Sequence, residues 1–149
     1  NTIPSHYLAR YTPFQARLAL AQLDQVDEEI NIRNEKAMLY RQGLQDIPGL
    51  VLPPEPEDNN SSYIYPLFPI QYSDRKRLLK WLMFHKRDAA AQHLKNCADL
   101  PAFSAFYRDC PVARRTADEA IILPTYPRYP IAEIQKNIEV IRSYFQTNK

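Results

Sequence analysis

"AIILPTYPRYPIAEI", residues 120–134, decides the fold. Four apolar residues lead into prolines at every third position, Pro124, Pro127 and Pro130, with Tyr126, Arg128 and Tyr129 between them. Two readings compete: a proline-rich ligand for a partner, or the joint between two packed elements. A polyproline ligand needs an exposed, extended backbone. Pro130 sits where a helix favours proline, and Pro124 sits where the strand "AIIL" has to stop. The joint is the better reading. It expects Tyr126 to be buried and Arg128 to be exposed.

Working outward, Ile131, Ile134, Ile138, Ile141 and Phe145 follow at spacings of three and four, one face of a closing helix. Far upstream, "YTPFQA" supplies a capping threonine, a proline at the first helical position and a glutamine three residues after the cap. Beyond it an apolar stripe passes through Leu23, Val26, Ile30, Ala37, Tyr40 and Leu44. This predicts one helix over 13–44, roughly 45 Å long. Arg33 is the only charge in the stripe. A helix of that length overhangs a small domain, so it is expected to pack on a partner as well as on its own core.

Between these ends, a short strand is expected at Leu50–Leu52, followed by an acidic, proline-rich loop. "SSYIYPLFPI" reads as a strand apolar on both faces, with Pro66 and Pro69 placing it near an edge. Ser73 or Asp74 caps a helix carrying Leu78, Leu79, Trp81, Leu82 and Phe84 inward. Its other face holds Arg75, Lys76, Arg77 and Lys80, a solvated face with nucleic-acid contact as the sharper alternative. "DAAAQHL" is a candidate third strand, and "LPAFSAFY" and "CPVARRTADEA" are short helices opened by prolines. The predicted class is α+β: a small, mainly antiparallel sheet with helices packed on it and a long N-terminal helix. The sheet and its helices occupy 50–149.

Composition limits the function. The 149 residues make about one domain, with 45% hydrophobic and 24% charged residues. A net charge of +2 is too small to point to nucleic acid or an anionic membrane, and no apolar run reaches the ~20 residues of a membrane span. The chain opens at Asn1 without a signal peptide, which points to a fragment of a longer protein. Cys97 and Cys110 lack metal-ligand spacing and read as reduced thiols of a cytoplasmic protein. Only two glycines occur, Gly43 and Gly49, too few for a phosphate-cradling loop. His6, His85 and His93 have no second ligand at metal spacing. Ser73 and Lys76 match S-x-x-K, but no S-D-N or K-T-G follows, and the serine is better used as a cap. No nucleophile–base–orienter set and no metal site stands out, so no catalytic residue is assigned.

Three blocks together resemble the C-terminal, small domain of the DegT/DnrJ/StrS family of PLP-dependent sugar aminotransferases of fold type I. In "RYTPFQARLALAQLDQV", Arg10, Gln15, Ala16, Gln22 and Leu23 fit the family pattern. In "RNEKAMLYRQGLQDIPGLVLP", Arg33, Ala37, Tyr40, Leu44, Gly49 and Pro53 fit. In "CPVARRTADEAIILPTYPRYPIAEIQKNIEVI", Pro111, Ala113, Leu123, Pro124, Tyr126 and Pro127 fit. The resemblance spans nearly the whole chain. It implies a missing N-terminal large domain, which carries the aldimine lysine and most contacts to PLP, and a homodimer. PLP would be bound by the full-length protein and not by this chain alone. The family's asparagine at the partner subunit's PLP phosphate falls at Leu8, leaving Arg10 as the nearest polar candidate. His93 and Tyr126 are the candidates for the substrate pocket. The implied substrate is a keto-sugar, either free or carried on a nucleotide. The implied role is pocket closure and dimer packing. The alternative is a non-catalytic interaction or dimerisation module that retains the old domain.

Overall fold

A computed structural model of the chain describes residues 12–55, 63–91 and 95–147. Helix α1, Pro13–Leu23, begins as the sequence expects. The Gln15 amide donates to the Thr12 hydroxyl at 3.3 Å, and the Thr12 amide donates to Gln15 Oε1 at 2.9 Å. The single 13–44 helix does not form. The chain turns at Asp24–Gln25, where the Gln25 amide reaches back to the Gln22 carbonyl, and α2 runs over Val26–Leu44. Asp27, Glu28 and Glu29 in its first turn suit the positive end of the new helix. The apolar stripe runs through both helices, so apolar spacing does not register the break.

Strand β1, Leu67–Gln71, pairs antiparallel with β2, Ala120–Pro124, with Leu67 opposite Pro124 and Gln71 opposite Ala120. Where two outer strands are expected from the sequence, the described residues form single bridges, and residues 92–94 of the second lie outside the described residues. Val51 pairs with Gln71 on the β1 side, and Ala90 pairs with Ile122 on the β2 side. Gln71 spends its amide and carbonyl on Val51, so by period-two alternation Pro69 also faces outward and its missing N–H breaks no β1–β2 bond. The strand is buried on one face only: Phe68 and Ile70 are buried, while Leu67 and Pro69 are exposed.

Helix α3, Arg75–Phe84, is capped by Asp74, whose carboxylate accepts the Arg77 amide at 3.2 Å. Leu78 and Leu82 enter the core, but Phe84 is 81% exposed, contrary to the inward placement expected. Short 3₁₀ turns follow at Cys97–Asp99 and Pro101–Phe106, then α4, Pro111–Glu119, which runs straight into β2. Arg114 ties these pieces together by bonding Asp99 at 2.7 and 2.8 Å and Asp109 at 3.0 Å. Cys97 and Cys110 are free thiols. Helix α5, Ile131–Thr147, packs between α2 and α3. At Gly43 a Cβ would lie 2.7 Å from the Ile138 side chain, so only glycine admits this approach of α2 to α5. Among the described residues, no helix is long and apolar enough to cross a membrane.

The core forms where β1 and β2 meet α2, α3 and α5. Tyr40 stacks on Phe68 with ring centroids 5.4 Å apart. The buried Asn137 of α5 donates to the hydroxyls of Tyr40 at 2.9 Å and Tyr129 at 3.1 Å. Burial, above all, raises the pKa values of Tyr40 and Tyr129, and it pushes that of Tyr144 up to about 12.

The opening stretch is a joint between β2 and α5, as expected, but its inward residue is a different one. Tyr129 is 7% exposed and Tyr126 is 42% exposed. Tyr129→Ala is therefore expected to destabilise the chain by about 3–5 kcal/mol. Tyr126→Ala and Arg128→Ala are expected to lower stability far less, the latter by under about 0.5 kcal/mol. Urea melts of the three variants check this order.

The buried phenols set a second expectation. Above pH 10 the unfolded chain has lost tyrosine protons that the folded chain still holds, so stability falls as pH rises. Lys36, whose pKa burial lowers from 10.5, acts in the opposite sense below that value, so the fall is read above it. Denaturant melts from pH 9 to 12, with phenolate absorbance as a second probe, should show ionisation coinciding with unfolding. Tyr40→Phe should make the fall shallower.

Candidate functional site

Three elements meet at one end of the strand pair: α2, the approach to β1, and the joint after β2. The latter two are rich in proline, and proline offers no N–H. The carbonyls there cannot all be paired by other backbone groups, so side chains take them. Arg33, the charge in the α2 stripe, donates to the Pro66 carbonyl at 3.2 Å. Lys36, one turn on, donates to the carbonyls of Tyr126 at 2.9 Å and Pro127 at 2.6 Å. Thr125 donates its hydroxyl to the Tyr65 carbonyl at 2.7 Å, linking the joint to β1. Tyr65 itself has φ 43°, a left-handed conformation uncommon for a tyrosine and held here immediately before a proline.

Lys36 is buried, and desolvation lowers its pKa, with the nearby Arg33 charge adding to the effect. Lys36 lies beside the apolar stripe, so apolar spacing gives it no role. The spacing of positions 33, 36, 40 and 44 by three and four places it on the same face, and that was the available signal. Farther along α2, Arg41 performs a similar task and donates to the carbonyls of Pro53 at 2.8 Å and Pro54 at 3.1 Å.

Two grooves flank the joint. The larger, about 1150 Å³, runs between the outer side of α2 and Pro127–Ile131. Its wall includes Asn34, whose buried Oδ1 has no hydrogen-bond partner among the described residues. The smaller, about 470 Å³, is bordered by Tyr126, Arg128, Arg33 and the acidic first turn of α2. Tyr126 thus stands half in solvent at a mixed-charge groove, with its ring edge-on to Tyr129 at 5.2 Å. Arg10 and His93, the other two residues singled out from the sequence, lie outside the described residues. His85 spends Nδ1 on the Trp81 carbonyl at 2.9 Å, which is a structural use. Among the described residues no group of three or more His, Cys, Asp and Glu side chains could hold a metal ion.

The described residues do not fit PLP as a covalent cofactor. Of the described lysines only Lys36 is buried, and its amine is committed to two carbonyls. Neither glycine opens a phosphate loop: Gly43 is pressed against Ile138, and Gly49 lies in the turn after α2. No chemical step is assigned to PLP on these residues.

The site sits on a fold with known counterparts. Residues 6–142 match the DegT/DnrJ/EryC1/StrS aminotransferase family. DesV from S. venezuelae, solved in complex with a ketimine intermediate, is 22% identical with a TM-score of 0.81, over 89% of this chain and 36% of that one. Helicobacter pylori PseC, an aminotransferase involved in the biosynthesis of pseudoaminic acid, is 20% identical with a TM-score of 0.80, over 93% of this chain and 38% of that one. A DegT/DnrJ/EryC1/StrS aminotransferase from Brucella abortus is 23% identical with a TM-score of 0.79, over 91% and 36% respectively. The chain thus spans little more than a third of the structures it resembles. No curated protein sequence matches it. With the family match covering most of its length, the chain belongs to the DegT/DnrJ/EryC1/StrS aminotransferase family.

Proposed function

We propose that this chain is the C-terminal small domain of a PLP-dependent aminotransferase. The parent protein acts in the cytoplasm as a homodimer, on a keto-sugar that is free or carried on a nucleotide. The domain closes the substrate pocket and packs against the large domain and the dimer partner. It is not catalytic alone. PLP supplies the electron sink when bound to the large domain, and Tyr126 borders the substrate from the smaller groove. Arg10 and His93 keep their proposed places, near the partner's cofactor phosphate and in the pocket.

The observation that carries this reading is α1. It has no buried residue, and Phe14 is 76% exposed, with Leu18, Leu20 and Leu23 also outside the core. Apolar side chains on two sides of a capped helix suit cover by other protein surfaces. A large domain and a second subunit would supply that cover in a protein of the relatives' length.

The test uses this chain and the longer protein that contains it. The chain alone is expected to form no stoichiometric borohydride-reducible adduct with PLP, and to self-associate in light scattering through α1. The longer protein is expected to form the adduct and to transfer an amino group from an amino acid to a nucleotide-linked keto-sugar. Dimerisation without adduct or transfer in the longer protein would favour the non-catalytic module instead.

A further inference from the structure

The two grooves are kept apart by the Tyr126–Arg128 backbone, and one amine holds that backbone in place. Among the described residues no carboxylate forms an ion pair with Lys36, and the direct partners of its buried amine are carbonyls. Unlike Arg33, which takes one carbonyl, Lys36 gathers two consecutive ones. The first of these, from Tyr126, also accepts the Tyr129 amide at 2.9 Å, closing a turn. The peptide nitrogen between the two carbonyls is that of Pro127, which has no hydrogen to give. The turn's own amide meets the Tyr126 carbonyl, and the amine meets both that carbonyl and the one after it. Within that turn Tyr126 faces the smaller groove and Tyr129 enters the core beside Asn137.

We propose that Lys36 is a positioning residue that gathers the Tyr126 and Pro127 carbonyls onto α2 and so sets Tyr126, and not Tyr129, at the smaller groove. Its effect on catalysis rests on the reading that Tyr126 borders the substrate pocket. Its effect on the turn does not. Lysine suits the task because its three donors rotate about one nitrogen and can meet two carbonyls on adjacent peptides.

The test compares Lys36→Met, which keeps the apolar stem, with Lys36→Arg, which keeps the charge. Amide hydrogen exchange is followed in the 149-residue chain. In Lys36→Met the Tyr129 amide is expected to exchange roughly tenfold faster, as befits loss of one or two charge-assisted bonds, while the amides of β2 keep their rates. Lys36→Arg is expected to restore most of the protection. If Lys36→Met fails to fold, Lys36→Gln, which keeps a neutral donor, replaces it under the same criterion. Turn and sheet amides accelerating together, or neither changing, would overturn the proposal. In the longer protein, Lys36→Met is expected to raise KM for the keto-sugar several-fold with kcat nearly unchanged. Faster turn exchange without a change in KM would leave Lys36 as a positioning residue and remove Tyr126 from the pocket.

Discussion

The structure depends on how carbonyls are satisfied in a chain short of amide donors. Thirteen of the 149 residues are proline, and several stand where strands begin and end. A buried carbonyl without a donor is costly. The chain answers with cations along α2: Arg33 for Pro66, Lys36 for Tyr126 and Pro127, Arg41 for Pro53 and Pro54. Bonds from charged donors are worth roughly 1.5–3 kcal/mol each, enough for a handful to orient three segments against one helix. Arg142 and Arg75 do the same elsewhere, on the carbonyls of Gly43 and Ala117. Helix α2 serves as core wall and as a row of donors at once.

This arrangement explains why so small a sheet suffices. Two paired strands with single-residue bridges on each side would be marginal alone. Here α2 braces both strand ends through side chains, while α3 and α5 bury the inner face. The same division leaves α1 outside the core. It is well capped and apolar, yet nothing in the described chain covers it, and the chain spans only 36% of the DesV structure it resembles.

The polar end of the sheet is also where the functional reading concentrates. A left-handed Tyr65, a buried Lys36 and a half-exposed Tyr126 stand within a few residues of one another in space, linked by the Thr125–Tyr65 bond and the bonds of Arg33 and Lys36. Strain and buried charge persist only where surrounding contacts over-determine them, and such places are disproportionately functional. The match to an aminotransferase family gives that end of the domain a context without assigning it a reaction.

Most element types and their order along the chain are legible locally. The Thr12 cap, a cap at Ser73 or Asp74, of which the structure uses Asp74, the strand "AIIL", the proline-opened α4 and the three-and-four spacing of α5 were legible because each is a local signal. The family was legible for a related reason: its pattern is a packing pattern kept in order along the chain. The remaining features depend on partners distant in sequence. The break at Asp24–Gln25 is invisible to apolar spacing, which runs through it. Among the described residues the outer pairings are single bridges, at Val51 and Ala90, and each needs a partner far along the chain. The inward tyrosine is Tyr129 and not Tyr126 because Asn137, on the next helix, and Lys36, some ninety residues upstream, hold the turn between them. Local rules place a proline or a cap. They cannot say which of two tyrosines three residues apart meets the core, since that depends on which carbonyls a buried amine reaches once the helices have packed.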